Sequence, residues 1–255
     1  MITIPASLLC PPPPSKPYIY ILGAGPGDPL LLSIKALQIL TQHAQIVVHD
    51  RLISPEILAL IPDHVEKIFA GKEAEHHYMP QDEIHQTLLY HANQHKIIVR
   101  LKGGDPFMFG RGGEEMLFLL EHHIPFEVIP GITAAEGCSA MYGIPLTHRG
   151  VAQGVRFITG HQQEGRLHHL DWQGLADPTT TLVIYMGLAH LEQISNQLIA
   201  HGLPATTPVA VIRNGTLPDS EIFYSTLSAV AEAVKCQQIK APCLIIVGKV
   251  VALKN

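Results

Sequence analysis

Cysteine is scarce in this 255-residue chain. Its four cysteines, Cys10, Cys138, Cys236 and Cys243, form no C-x-x-C pair, which excludes a disulfide framework and a zinc site of familiar spacing. Charge is thin as well: Asp, Glu, Lys and Arg make up 15% of residues, with a net charge of −5. A mildly acidic balance argues against a general nucleic-acid binder, which would show a basic face. No run of about 18 uncharged apolar residues occurs, so no membrane-spanning helix is expected. The N-terminus lacks the basic region and apolar core of a signal peptide, so the expected location is the cytoplasm. What is present is ordinary apolar content, 47%, which with the low net charge excludes intrinsic disorder. The length suggests one or two domains. A chain of this size buries roughly 70–75% of its unfolded surface and needs no covalent staple.

Residues 1–17 include four consecutive prolines, Pro11 to Pro14, and read as a polyproline-like tail outside the core. Ordered sequence begins with a β-rich run over 18–22 that ends at Gly23. Helical period follows over 30–40, then a strand over 46–49, which together point to an α/β unit. Further strands are expected over 65–69, 97–101 and 126–129, with helices over 81–93 and 113–121. A second series places strands over 155–159, 181–185, 209–212 and 243–247, with helices over 188–200 and 227–232. The expected organisation is an N-terminal α/β domain over 18–147 and a C-terminal α/β domain over 148–255.

Three turns stand out at strand ends. Gly23-Ala-Gly25-Pro-Gly27-Asp28-Pro29 follows the first strand, and its glycines let the backbone turn sharply and approach a ligand. It is not a dinucleotide fingerprint. G-x-G-x-x-G needs glycine where Asp28 stands, and Pro26 removes an amide that would cradle phosphate. RLKGGDPFMFGRGG (100–113) follows another strand, where open α/β sheets place ligands. Within it Asp105 suits a pair of ribose hydroxyls or a cationic amine. VVHDRLIS (47–54) brings Asp50 and Arg51 to a third strand end. Gly71-Lys72 follows the strand expected over 65–69.

Together GAGPGDPLLL, VVHDRLIS, Gly71-Lys72, RLKGGDPFMFGRGGEE (100–115) and PGITAAEGCSAMYGIPLTHR (130–149) resemble the uroporphyrinogen-III C-methyltransferases of the tetrapyrrole methylase family. The likeness continues through ITGH (158–161), YMGL (185–188), NGT (214–216) and PCLIIVGKVVAL (242–253), and so covers Tyr18 to the C-terminus. The first glycine turn and GGDP are shared across many tetrapyrrole methylases; the longer segments are more specific.

The resemblance implies two α/β domains with the active-site cleft between them, usually as a homodimer. It implies methyl transfer from S-adenosylmethionine to carbons 2 and 7 of uroporphyrinogen III, giving precorrin-2. Asp50 takes the position of the family's proton acceptor and Lys72 that of its proton donor. Cofactor contacts fall on Pro26, Gly103, Gly104, Asp105, Met108, Thr133, Ala134, Met186 and Gly215. For Met186 a gap-filling core role is an equally plain reading. The substrate carries eight carboxylates, so an acidic protein must concentrate cations where it binds. Arg51, Lys72, Lys102, Arg111 and Arg149 lie within the matched segments, and a guanidinium grips a carboxylate bidentately. With only a proline-rich segment before Tyr18, the expected form is a stand-alone methylase whose product passes to other enzymes.

Departures from the family pattern are His49 where Tyr is common, Ser33 for Thr, Glu73 after Lys72 where Arg is common, and Arg213 before NGT where Glu is common. Sixteen histidines invite a metal reading. The pairs His76-His77, His122-His123 and His168-His169 are adjacent residues that point apart, and sulfonium chemistry needs no metal, so none is expected. Two alternatives are weaker. One is another methylase of the same fold, acting on a later corrin precursor or on ribosomal RNA, the latter of which would bring a basic stripe. The other, a non-catalytic cofactor-binding module, would not need Asp50, Lys72 and Asp105 together.

Overall fold

The computed structural model describes residues 9–70, 80–160 and 170–254. The chain forms two compact units, Met1–Thr133 and Ala134–Asn255. In the first, strands β1 (Tyr18–Gly23), β2 (Ile46–His49), β3 (Glu66–Phe69), β4 (Ile97–Lys102) and β5 (Phe126–Ile129) form a wholly parallel sheet in the order β3-β2-β4-β1-β5. A parallel sheet covered on both faces needs strands that are apolar on both sides. The run Ile19–Leu22 meets that need, every residue being buried. Alternate residues then serve opposite layers. Tyr20, Leu22, Val47, Val99 and Leu101 pack with Ala36 of helix α1 (Ile34–Gln38) and Ile57 of α2 (Pro55–Leu58). Ile19, Ile21, Val48 and Ile98 pack with Ile84 and Leu88 of α3 (Gln81–Ala92) and Leu119 of α4 (Gly112–Glu121).

The helix expected over 30–40 is broken into pieces by its own caps. Asp28 accepts a hydrogen bond from Leu30 N at 2.8 Å and starts a 3-10 turn over Pro29–Leu31. Leu32 is extended, and Ser33 restarts the helix by accepting from Ala36 N at 3.1 Å. The chain leaves α1 through a wide π turn over Ile39–His43, closed by Ala44 N donating to Ile39 O. The proline-rich segment is not wholly detached from the core. Cys10 packs against the first layer, and its amide donates to the buried Gln38 Oε1 at 2.5 Å, giving a buried polar group its partner.

The second unit holds β6 (Gly154–Thr159), β7 (Thr180–Tyr185), β8 (Pro208–Arg213), β9 (Glu221–Thr226) and β10 (Cys243–Val247), ordered β6-β7-β10-β8-β9. Only β6 and β7 are parallel; the other three pairings are antiparallel. Helices α6 (Trp172–Leu175), α7 (Leu191–Ala200) and α8 (Val230–Cys236) contribute Leu175, Leu191, Ile194, Leu198 and Val230 to one layer. Helix α5 (Ala134–Tyr142) covers the other. Its Ala135 and Cys138 are buried with Val183, Ala210, Ile212 and Ile246. That packing places α5 with the second unit, which begins at Ala134.

Three strand-end loops of the first unit meet at close-packed glycine backbone. Gly25 and Gly104 form an antiparallel bridge, with Gly104 N donating to Gly25 O at 2.7 Å and Gly25 N to Gly104 O at 3.1 Å. A Cβ on Gly23 would stand 2.6 Å from Gly131 N and 2.7 Å from Gly104 O. A Cβ on Gly131 would overlap the Gly104 carbonyl and the Gly23 backbone. Since neither neighbour is a flexible side chain, we expect Gly131→Ala to destabilise the protein by about 1–3 kcal/mol, the usual range for overpacking. Urea unfolding of the two proteins measures it; an unchanged midpoint would contradict this packing.

A comparable constraint holds the loop after β8. A Cβ on Gly215 would occupy the place of the Cys138 thiol. Gly215→Ala should therefore lower the thermal midpoint, and adding Cys138→Ala should recover part of the loss. Equal melting of the single and double variants would count against it.

Candidate active site

Strands β1, β2, β4 and β5 all deliver their following loops to the carboxyl edge of the first sheet, where open α/β sheets bind ligands. Pro26 lies in the loop after β1, Asp50 and Arg51 after β2, Gly103 to Met108 after β4, and Thr133 after β5. Lys72, with Gly71, Glu73 and the His76-His77 pair, lies outside the described residues.

Asp105 ties two of these loops together. Its Oδ1 accepts from Phe107 N at 2.9 Å and its Oδ2 from Gly131 N at 3.1 Å. A carboxylate offers about four acceptor positions, so about two remain for a ligand. Asp105 is half-buried, Gly103 and Gly104 beside it present bare backbone, and Met108 is half-buried. On the β1 side Ser54 Oγ donates to Gly27 O at 2.7 Å, anchoring the turn that carries Pro26. Thr133 is buried.

Beneath the β2 loop lies a cluster of charge. On β4 the period of two puts Ile98, Arg100 and Lys102 on the face covered by α3 and α4. Arg100 and Lys102 are each 2% exposed. Arg100 Nε donates to Glu115 Oε1 at 2.9 Å, and its Nη2 donates to Asp50 Oδ1 at 2.5 Å. Its Nη1 reaches Val48 O and Leu101 O, each at 3.3 Å. Lys102 Nζ donates to Glu115 Oε1 at 3.1 Å and stands 3.9 Å from Asp50 Oδ2. Gln81 Nε2 is a third donor to that same Oε1, at 3.2 Å. Glu115 is 0% exposed, whereas the Asp50 side chain is 30% exposed. Burial opposes the charge on Arg100, but Asp50 and Glu115 outweigh it and raise the guanidinium above its ordinary pKa. Burial and the neighbouring Arg100 push the Lys102 ammonium below its ordinary value.

His49, next to Asp50, donates from Nδ1 to the Asp50 carbonyl at 3.3 Å and packs its ring against Phe69. Burial lowers its pKa, so it stays neutral near pH 7.

In the second unit Met186 follows β7 and is 50% exposed, so it does not fill a core gap. Gly215 rests on Cys138, whose thiol burial raises to about 12. Ala134 opens α5, and Ala135 N donates to Tyr185 Oη at 3.0 Å, fixing that helix start to β7.

Backbone strain separates site loops from ordinary helix ends. Among the described residues, positive φ at His95, His123 and Gln238 follows helix ends, where such conformations are common. Phe109, Arg111, Met186, Asn214 and Thr216 are also held there, and each lies beside or at a position that the sequence singled out as a candidate. Strain of this kind clusters at binding sites.

Of the cations expected to grip substrate carboxylates, Arg51, Arg111 and Arg149 are exposed. Arg111 forms a two-point pair with Glu114, at 2.9 and 2.5 Å. Lys102 does not stand with them. It is buried beneath Asp50, with its ammonium held by Glu115. Arg100 and Glu115 received no role from the sequence. The signal for Arg100 was a charge within a strand whose other residues, Lys102 apart, are apolar, Ile-Ile-Val-Arg-Leu-Lys (97–102); Glu115, on α4, carried no such signal.

The family model for tetrapyrrole (corrin/porphyrin) methylases matches residues 18–231. The uroporphyrin-III C-methyltransferase of Thermus thermophilus is 41% identical, with a TM-score of 0.79, over 92% of this chain and 99% of that one. A second structure of that enzyme, complexed with S-adenosyl homocysteine, superposes with a TM-score of 0.77 at 39% identity, over 92% of this chain and 93% of that one. Siroheme synthase 2 of Yersinia enterocolitica is 53% identical over 237 residues, which are 93% of this chain and 49% of that protein. The chain thus spans about half the length of the curated relatives it matches. On its fold, its strand-end motifs and these likenesses, the chain belongs to the tetrapyrrole methylase family and is a methyltransferase.

Proposed function

We propose that this chain transfers methyl groups from S-adenosylmethionine to carbons 2 and 7 of uroporphyrinogen III, giving precorrin-2. The observation that carries the reading is Asp50, a partly exposed carboxylate fixed at a strand end by a buried arginine. When bound, S-adenosylmethionine supplies an electrophilic methyl on a sulfonium. The chain's share is then positioning and proton handling. Positioning contributes most where two reactants must meet in line. Asp105, with acceptor capacity left beyond its two loop contacts, suits the ribose hydroxyls of such a ligand, and the bare backbone of Gly103 and Gly104 admits close approach. Pro26, Met108, Thr133, Ala134, Met186 and Gly215 complete the proposed contacts. Methylation leaves a cationic ring that must release a proton, whose bonding pair returns to the macrocycle. Asp50 accepts that proton, and Lys72 is the proposed donor. Arg51, Arg111 and Arg149 are the proposed grips for substrate carboxylates. The reading sets the enzyme in the cytoplasm as a homodimer, a state that sedimentation equilibrium measures. The half of the siroheme synthases that this chain does not match plays no part in the proposal.

Incubation with S-adenosylmethionine and uroporphyrinogen III, followed by absorbance, should yield precorrin-2. Folded protein that forms none would overturn the reading in favour of another tetrapyrrole substrate. Asp50→Asn should lower kcat by about a hundred-fold, within the range of general-base contributions, with little change in cofactor affinity. Asp105→Ala should instead weaken S-adenosylmethionine binding by about ten-fold or more in calorimetric titration, since hydrogen bonds to a charged acceptor contribute about 1.5–3 kcal/mol. Asp105→Asn keeps one acceptor oxygen and separates that loss from loosening of the loop. If Asp50→Asn turns over normally and Asp105→Ala binds normally, the site assignment fails.

A further inference from the structure

The two oxygens of Asp50 differ in their surroundings. Oδ1 is bound by Arg100, while Oδ2 has the Lys102 ammonium 3.9 Å away, too far for a hydrogen bond. What holds Lys102 at that distance is Glu115, whose Oε1 takes its proton at 3.1 Å. The same Oε1 accepts from Arg100 and Gln81, whereas Glu115 Oε2 is buried with no partner among the described residues. Three donors on one oxygen and none on the other is a poor way to satisfy a buried carboxylate. Buried Arg100 and Lys102 call for an anion on this face, which is otherwise apolar with Ile98, Ile84 and Leu119. Charge balance alone asks only that an anion be near; it does not ask that one oxygen hold both cations on the side away from Asp50.

We propose that Glu115 is a positioning residue that keeps Asp50 Oδ2 open as the atom that takes the proton. It does so in two ways. It anchors Arg100 from the side opposite Asp50, so that the rigid guanidinium fork holds Oδ1 in one orientation. It also draws the Lys102 ammonium away from Oδ2, which a second buried cation would otherwise occupy. Among the described residues, the charges facing Asp50 from the elements around it are Arg100 and Lys102 on β4, with neutral His49 on β2; Glu115 on α4 sets where both cations stand. The inference rests on the reading of Asp50 as proton acceptor and names its reacting oxygen.

The test compares four full-length proteins: wild type, Asp50→Asn, Glu115→Gln, and Glu115→Gln combined with Lys102→Met. Glu115→Gln keeps the shape and removes the charge. It should lower kcat about ten-fold, leaving KM for the tetrapyrrole and the cofactor Kd within two-fold. Removing Lys102 as well takes away the intruding ammonium and restores the balance of one cation and one anion. The double variant should therefore turn over faster than Glu115→Gln alone, which a merely structural role would not produce. Should Glu115→Gln fail to fold, the charge-balanced double variant is read on its own and must exceed Asp50→Asn in kcat. The inference alone fails if Asp50→Asn is slow while Glu115→Gln matches wild type, or if the double variant is no faster than Glu115→Gln. Wild-type turnover by Asp50→Asn overturns the acceptor reading and this inference with it.

Discussion

An isolated charge buried in a protein interior costs several kcal/mol to desolvate, and β4 carries two on its inner face. Arg100 and Lys102 are tolerable only because Glu115 on α4 and Asp50 after β2 bring two anions to the same place. That requirement fixes how α4 lies on the sheet. Glu115 must face inward, and Leu119, four residues on, then faces the apolar layer beside it. It also fixes the β2 loop, because Asp50 is held to the sheet by its side chain as well as by Asp50 N donating to Leu101 O. The charged cluster thus joins strand, helix and loop at the edge where the chemistry is proposed.

Glycine does the corresponding work at β1, β4 and β5. Gly23, Gly104 and Gly131 bring three backbones closer than any Cβ permits, and Asp105 closes the arrangement by accepting from Gly131 N. One carboxylate orders a loop and the other sits on an ion pair, so the two acidic groups of the site are not interchangeable. Asp105 is anchored through backbone amides, which cannot be lost by a change of side chain. Asp50 depends on Arg100, and through it on Glu115.

Much of the fold was legible because parallel strands must be continuously apolar. The runs at 18–22, 46–49 and 97–101 became β1, β2 and β4 within a residue of their expected ends. Among the elements without that signature, some were missed. Helix α5 is mostly Ala, Gly, Ser and Cys, whose small side chains give little helical period, yet smallness is what lets it lie close on β10 and under Gly215. Strand β9 is an edge strand with no continuously buried run, so its sequence shows neither pattern cleanly. The candidate positions in the first unit were legible as motifs at strand ends, since glycine and aspartate there have few structural alternatives. The supporting charges were not. Arg100 and Glu115 look like surface residues until the sheet register turns one inward and the helix places the other over it. The burial of Lys102 was hidden for the same reason, because a lysine in sequence does not disclose which face of a strand it occupies.

Sorting the cations by burial resolves the tension between a chain of net charge −5 and the carboxylate-rich substrate proposed for it. Arg100 and Lys102 are neutralised locally by Asp50 and Glu115, so their fields largely cancel beyond the cluster. They bear on proton chemistry at one carboxylate and contribute little to capture. Arg51, Arg111 and Arg149 are exposed and act through water, where a single ion pair contributes only about 0–1 kcal/mol and salt screens it within about 10 Å at 0.1 M. Capture of a polyanion by such groups must come from several contacts at once or from bidentate geometry, and it must weaken as ionic strength rises. Arg100, Lys102 and Glu115 are buried and feel that influence far less, and they hold the partly exposed Asp50 from the inner side. On the proposed reading, substrate grip and proton transfer therefore rest on two populations of charge that respond differently to the same solvent.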